Sequence, residues 1–315
     1  MDLLKEIEGA KRIGITGHVR PDGDCVGSSL GLYKYIRNAC PGVSVQVFLE
    51  QPPKTFSFLY GFEEIDSTFH ADAPFDVFIA LDAGDIDRLG DAKEMFLATP
   101  KRLCFDHHLR NTGYAQLTDV DSDSSSTAEV LYEHFEKQYI DQDVAQALYT
   151  AIVHDTGVFQ HSSMGQSTFG IVGELIGYGF DAAKIISETF YEKTYVQNQI
   201  LGRALLESML LMDGRCIASC VDKKMMDFYG VSSEDFDGIV NQLLVTKGCE
   251  VAIFMYQTGT LEYKVSMRSK GKVNVAEVAG FFGGGGHARA AGCTMMGTYR
   301  DVLNNLSKYI EEQMQ

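Results

Sequence analysis

Four short apolar runs, separated by helix-patterned or polar sequence, constrain the fold of this chain more than any other feature. They are Arg12–Thr16, Val43–Leu49, Phe75–Leu81 and Arg102–Phe105. Runs of this length without polar alternation read as strands covered on both faces, and helices between them imply a parallel α/β sheet. Such sheets collect ligands beyond the carboxyl ends of their strands. The acids and histidines of this chain sit there. The first run leads into Gly17-His18-Val19-Arg20-Pro21-Asp22-Gly23-Asp24, ahead of a helix expected over Cys25–Ile36. The third leads into Asp82-Ala83-Gly84-Asp85, and the fourth into Asp106-His107-His108.

The polar loop Asp121-Ser122-Asp123-Ser124-Ser125-Ser126 follows, and Ser125, Ser126 or Thr127 can cap the next helix. Helices are expected over Ala128–Tyr139, Val144–Val153, Thr168–Tyr178, Ala182–Phe190 and Val196–Leu211. The second of these runs into His154-Asp155. A domain boundary in or beside the last gives 1–195, a helical linker 196–212, and 213–315. The final part reads as a smaller α/β unit. It has a strand Arg215–Val221, a hairpin of Glu250–Gln257 and Leu261–Arg268 around Thr258-Gly259-Thr260, and helices Asn274–Phe282 and Tyr299–Glu311. Between those helices lies Gly283-Gly284-Gly285-Gly286-His287-Ala288-Arg289-Ala290-Ala291-Gly292.

Taken singly, each Asp here reads as a turn residue or helix cap, and each His as a satisfied polar residue. His18, Asp22, Asp24, Asp82, His107 and Asp155 together, each at an element end, point to divalent cations. Two cations about 3.5–4 Å apart need a bridging carboxylate with ligands on either side. One histidine with several carboxylates per ion suits Mn²⁺ or Mg²⁺ rather than structural zinc. Charge agrees: residues 1–195 carry 15 Lys and Arg against 30 Asp and Glu, whereas residues 196–315 carry 12 against 13. So acidic a chain excludes tight duplex binding through a broad basic face. It leaves room for a small anionic substrate held by metals. In the second half Lys264, Arg268, Lys270, Lys272 and Arg289 cluster beside the glycine run, against one acid, Glu277. The run lacks the Gly-Lys-Ser/Thr of a P-loop; its amides are expected either to form an anion nest or to act as a flexible hinge or turn.

In order and spacing, His18-x-x-x-Asp22-x-Asp24, Asp82, Asp106-His107-His108 and Asp155 resemble the four motifs of the DHH phosphoesterase superfamily. Gly283-Gly284-Gly285-Gly286-His287-x-x-Ala290-Ala291-Gly292 resembles the signature of its DHHA1 domain. Leu81-Asp82-Ala83-Gly84-Asp85-x-x-Arg88-Leu89-Gly90 and Ser266-Met267-Arg268-Ser269 look like the standalone nanoRNase and 3′-phosphoadenosine-5′-phosphate phosphatase subfamily. The resemblance implies an N-terminal DHH domain with a helix-flanked parallel sheet, a smaller DHHA1 domain, and an active site in the cleft between them. It implies one Mn²⁺ on His18, Asp22 and Asp82, and a second on Asp24, Asp82, His107 and Asp155. His108 would touch the scissile phosphate, with Asp106 orienting a ligand histidine and Asp85 behind the ligands. Arg268, Ser269, Gly284, Gly285, Gly286 and His287 would contact the substrate, and Arg88 would either contact it or make a structural salt bridge.

The implied activity is hydrolysis of short oligoribonucleotides to 5′-mononucleotides, and of 3′-phosphoadenosine 5′-phosphate to AMP, with short single-stranded RNA or DNA and nucleoside bisphosphates as substrates. Alternatives are a linear or cyclic dinucleotide phosphodiesterase, a pyrophosphatase of similar metal plan, and a non-catalytic nucleotide sensor. No apolar run reaches about 18 residues. The N-terminus lacks a signal-peptide pattern and the seven cysteines are scattered, so a cytoplasmic, membrane-free protein is expected, with a homodimer as a candidate assembly.

Overall fold

The computed structural model describes residues 2–160 and 164–314. Contacts divide the chain into two compact units, Met1–Glu192 and Lys193–Gln315. In the first, β1 (Arg12–Thr16), β2 (Ser44–Phe48), β3 (Val77–Leu81), β4 (Lys101–Asp106) and β5 (Leu117–Val120) form a wholly parallel sheet in the order β2-β1-β3-β4-β5. The helices are α1 (Leu3–Glu6), α2 (Gly23–Ala39), α3 (Lys93–Ala98), α4 (Thr127–Tyr132), α5 (Gln142–Asp155), α6 (Gln166–Ile176) and α7 (Ala182–Ile186). Every residue of β3 is buried, which is why it reads as an unbroken apolar run. One face packs a mixed aliphatic and aromatic core that includes α2, α4 and α5; the other packs Phe48, Phe75, Phe78 and Phe96. Gly14 makes room for that aromatic layer: a Cβ there would lie 2.5 Å from Cε2 of Phe78.

Helices α2 and α5 run antiparallel in close contact. A Cβ on Gly23 would meet Cβ and Cγ of His154 at 2.3 Å, and one on Gly27 would meet the Ala147 carbonyl at 2.6 Å. Glycine at these positions lets two backbones approach more closely than ordinary ridge-into-groove packing allows. The start of α2, with Asp22 and Asp24, is thereby set against the end of α5, with Asp155.

The second unit begins with α8 (Tyr195–Leu206), which packs Ile200 and Ala204 into a core with β7 and β8 residues. Strands β6 (Met209–Leu211), β7 (Cys216–Val221), β8 (Val251–Gly259), β9 (Glu262–Ser269), β10 (Gly285–His287) and β11 (Ala290–Met296) form a sheet in the order β10-β11-β9-β8-β7-β6. Helices α9 (Lys223–Tyr229), α10 (Ile239–Leu244), α11 (Val275–Phe281) and α12 (Tyr299–Met314) complete it. Val275, Val278, Val302, Leu306 and Ile310 cover one face of the sheet. No helix among the described residues is long and apolar enough to cross a membrane.

Several expected elements change form. The helix expected over Ala128–Tyr139 stops at Tyr132, and Phe135 turns in to stack on Tyr35 at 3.8 Å. The one expected over Ala182–Phe190 becomes a π-helical turn at Ser187–Tyr191. The one expected over Val196–Leu211 ends at Leu206, because Met209–Leu211 pairs antiparallel with β7. The hairpin turn shifts to Thr260-Leu261, with Leu261 at φ +55° and a register shift between Gln257 and Gly259.

Candidate metal centre

His18 leaves β1 two residues beyond its end, and its Nδ1 lies 2.8 Å from the Val19 carbonyl. A carbonyl only accepts, so the ring proton belongs on Nδ1 and Nε2 presents a lone pair. That lone pair faces two carboxylates, Asp22 Oδ1 at 3.6 Å and Asp82 Oδ2 at 3.3 Å. Three acceptors facing one another need a proton or a cation among them. Without a metal, burial would lower the His18 pKa, but the hydrogen bonds and charges of Asp22 and Asp82 raise it to about 10. Burial opposes ionisation of Asp22, yet His18 and the amides of Asp24 and Cys25, which Asp22 accepts as the N-cap of α2, hold it at about 2.

Asp82 follows the central strand at φ +55°, a left-handed conformation that Asp tolerates better than most residues. Its N–H donates to the Phe105 carbonyl at 3.1 Å. The turn splays the carboxylate between two groups: Oδ2 faces His18, and Oδ1 lies 3.6 Å from His107 Nε2. His107 Nε2 is also 3.6 Å from Asp155 Oδ2 and 3.9 Å from Asp24 Oδ2. His18, Asp22 and Asp82 form one set whose ligand atoms lie within 4.8 Å of one another, and Asp24, His107 and Asp155 form another. A third overlapping set is Asp82, His107 and His108.

Asp24 is 1% exposed and accepts from the Thr127 N–H at 2.7 Å, the Ala128 N–H at 3.2 Å and the Ser28 hydroxyl at 2.8 Å. Burial first, and then the charges of Asp82 and Asp155, push its carboxyl well above the usual range. The same crowding raises Asp155 to about 6, burial leading and Asp82 and Asp22 adding while His107 opposes. Buried carboxylates that repel one another, with histidine lone pairs turned toward them, fit divalent cations held by oxygen and imidazole nitrogen.

Asp106, fully buried, bonds the ring of His108 rather than that of His107: His108 Nδ1 lies 2.7 Å from Oδ1, which also accepts the His107 backbone N–H at 2.9 Å. Asn111 Nδ2 donates to the other oxygen at 2.7 Å. The ring Asp106 holds is thus that of His108, the histidine expected to meet substrate and also a member of the third set, rather than that of His107. Burial would raise the Asp106 pKa, but the His108 and Asn111 hydrogen bonds keep it low. Asp85 caps the 3₁₀ turn Ile86–Ala92 through the Asp87 N–H and belongs to none of the three sets.

Sequence reasoning missed Thr127, Ser28 and Asn111. Thr127 reaches two metal-centre residues, giving its N–H to Asp24 and its hydroxyl to Asp82 at 3.2 Å. The loop before α4 signalled a cap, and Ser126 is that cap, accepting from the Glu129 N–H at 3.2 Å. Nothing local shows that the next residue meets Asp24 from across the chain.

Several of the second unit's candidates are already engaged by their own fold. Arg268 Nε donates to Asn241 Oδ1 at 3.0 Å. Ser269 bonds Glu250 at 3.3 Å and accepts the Gly271 N–H at 3.0 Å. The glycine run begins as a turn off α11 and continues as a strand. The Gly283 and Gly284 N–H groups donate to the Gly280 and Ala279 carbonyls that end α11, and Gly285–His287 pairs with β11. A Cβ on Gly284 would lie 2.2 Å from the Gly292 carbonyl, so close strand approach demands glycine there. Register places Arg268, Ala290 and His287 in one row across β9, β11 and β10.

Comparison with known proteins accords with this geometry. Residues 12–152 match the DHH family, N-terminal domain, and residues 214–315 match the DHHA1 domain. The bifunctional oligoribonuclease and PAP phosphatase NrnA of Bacillus subtilis is 26% identical over 299 residues, covering 93% of this chain and 92% of that protein. The protein of that name from Thermus thermophilus is 28% identical over 301 residues, covering 94% and 87%. The crystal structure of an exopolyphosphatase-related protein from Bacteroides fragilis superposes with a TM-score of 0.88 at 26% identity, covering 99% of this chain and 96% of that one. With both domains in order along the chain and the four DHH motifs gathered into one cluster, this protein belongs to the DHH–DHHA1 phosphoesterase family.

Proposed function

We propose that this phosphoesterase hydrolyses short oligoribonucleotides to 5′-mononucleotides and 3′-phosphoadenosine 5′-phosphate to AMP, using two divalent cations, with Mn²⁺ preferred. The observation that carries the reading is the Asp82 carboxylate, one oxygen toward His18 and the other toward His107. The activities named for the Bacillus and Thermus relatives support the substrate class. His18, Asp22 and Asp82 would hold one ion; Asp24, Asp82, His107 and Asp155 would hold the other. When bound, such ions supply a lowered pKa for water and neutralisation of charge on phosphoryl oxygens.

The chain's own residues do the rest. Asp106 and Asn111 fix the His108 ring with its Nδ1 occupied, which leaves Nε2 for the reacting phosphoryl group. Thr127 and Ser28 hold Asp24 and Asp82 in place before any ion arrives. Arg268, Ser269, Gly284, Gly285, Gly286 and His287, with Arg88 in the first unit, are the candidate contacts for the rest of the substrate. All seven cysteines are free, which supports action in a reducing cytoplasm.

The test is a time course on 5′-labelled RNAs of two to about ten nucleotides with Mn²⁺, with 3′-phosphoadenosine 5′-phosphate, cyclic di-AMP and pyrophosphate in parallel. Stepwise loss of mononucleotides and release of phosphate from the bisphosphate are expected. Turnover confined to cyclic di-AMP or pyrophosphate would overturn the reading.

A further inference from the structure

Six arginines fall in the first unit: Arg12, Arg20, Arg37, Arg88, Arg102 and Arg110. Three serve the fold. Arg12 bonds Gln46 and lies over the Phe75 ring, Arg37 pairs with Glu64, and Arg102 Nη1 donates to the carbonyls of Leu97 and Thr99. Among the described residues the guanidinium groups of Arg20, Arg88 and Arg110 have no acceptor. In residues 1–195, with 30 acids against 15 basic residues, an arginine whose guanidinium meets no acceptor at all is conspicuous.

These three lie in three loops that carry metal-centre residues. Arg20 sits between His18 and Asp22, Arg88 follows Asp82 by six residues, and Arg110 follows His108 by two. The loops touch. The Val19 N–H donates to the Arg88 carbonyl at 2.7 Å, and the Thr112 N–H to the Gly84 carbonyl at 3.0 Å. A Cβ on Gly84 would stand 3.2 Å from the Arg110 carbonyl. Arg20 is held at φ +57° by its N–H bond to Glu50 at 2.7 Å, while its side chain is exposed. That backbone is unfavourable for a long side chain by roughly 1–2 kcal/mol. It persists only where the surroundings over-determine it.

We propose that Arg20, Arg88 and Arg110 form a guanidinium rim around the acidic metal centre. The rim binds a second anionic group of the substrate, a phosphate or phosphodiester on the nucleotide that bears the scissile phosphate. The inference rests on the proposed function and adds Arg20 and Arg110 to it. A substrate carrying two phosphates must approach a cluster that includes Asp22, Asp24, Asp82, Asp106 and Asp155. Ions held there match one phosphate, and the other is repelled unless fixed cations meet it. Guanidinium groups suit that task because their planar donors bind phosphate oxygens in pairs.

The test compares kcat/KM for 3′-phosphoadenosine 5′-phosphate with that for p-nitrophenyl phosphate, in Arg20→Ala, Arg110→Ala, the double variant and Arg37→Ala. Each rim variant should lose roughly tenfold or more on the bisphosphate and distinctly less on the monoester. Arg37→Ala, which removes an equal charge from the same unit, should leave the ratio as in the wild type. The slope of log KM against log salt for the bisphosphate should fall by about one per arginine removed. Equal losses on both substrates, or an equal shift in Arg37→Ala, would overturn the rim. Titration of the bisphosphate in calcium buffer separates this idea from the functional reading. Equal affinity of wild type and double variant refutes the rim whether or not hydrolysis occurs, and a wild type that binds through the rim without turnover refutes only the reading.

Discussion

The two regions singled out by sequence motifs differ in how their polar groups stand without a ligand. Around Asp82 the carboxylates of Asp24 and Asp155 are pushed upward by burial and by neighbouring carboxylates, and His18 Nε2 faces acceptors only. Around Arg268 most groups are content: Arg268 has Asn241, Ser269 has Glu250 and Gly271, and two glycine amides end α11. A motif whose groups conflict in the free fold reports a ligand that resolves the conflict. A motif whose groups are satisfied reports, at least in part, the fold itself.

Removing the carboxylate at the centre of the conflict should have the largest effect. Asp82→Ala is expected to abolish turnover and reduce bound Mn²⁺, read by elemental analysis of the purified variant alongside its circular dichroism. Near-normal turnover with two ions retained would mean that the conflict around Asp82 is structural after all.

Separating the two histidines sharpens the contrast next. His107→Ala should weaken metal binding. His108→Ala should keep the metal and lose roughly 10²-fold or more in kcat if its ring stabilises charge in the transition state. Parallel metal titrations decide the matter, and equal metal loss in both variants would sink this division.

The third prediction follows from pH. Asp155 has its folded pKa raised to about 6 by burial and by Asp82 and Asp22. The metal-free fold therefore binds that proton more tightly than the unfolded chain does, and loses the associated stability as pH rises through about 6. Metal must displace the proton, so affinity should grow over the same interval. The Tm gained on adding Mn²⁺ should be larger at pH 7.5 than at pH 5.5. Asp155→Asn should raise the metal-free Tm at pH 7.5 and flatten its pH dependence. A variant less stable than wild type without metal would argue that Asp155 is satisfied by the fold.

The smallest effect belongs to the satisfied region. Ser269→Ala removes a buried hydroxyl that meets Glu250 and Gly271 and should destabilise the protein by about 1 kcal/mol, seen in urea unfolding. Because Ser269 is one of several candidate substrate contacts, its loss should raise KM only modestly and leave kcat unchanged. A large rise in KM at unchanged stability would show that the hydroxyl serves substrate instead.

Much of this was legible in the chain itself, for a physical reason. A strand buried on both faces must be apolar, so β1, β3 and β4 announce themselves, and a parallel sheet presents its carboxyl ends together. His18, Asp82, Asp106 and His107 lie at or just beyond those ends, so their type and position are local information. The misjudged elements depended on distant partners. Met209–Leu211 is a strand only because β7 lies beside it, and Leu117–Val120 only because β4 does. The half-polar Leu117–Val120 and the small-residue Ala290–Met296 carried too little apolar pattern to declare themselves.

What the sequence determined alone was the inventory: which side chains can bind metal, and that each ends an element. Tertiary structure decided how they face one another. The left-handed turn at Asp82 points one oxygen at each histidine, and the glycine contact of α2 with α5 brings Asp24 near Asp155. Thr127 meets Asp24 across 103 residues. Such contacts arise from helix packing against a completed sheet, which no local pattern encodes, because the free energy that fixes them comes from surfaces the chain brings together only when folded.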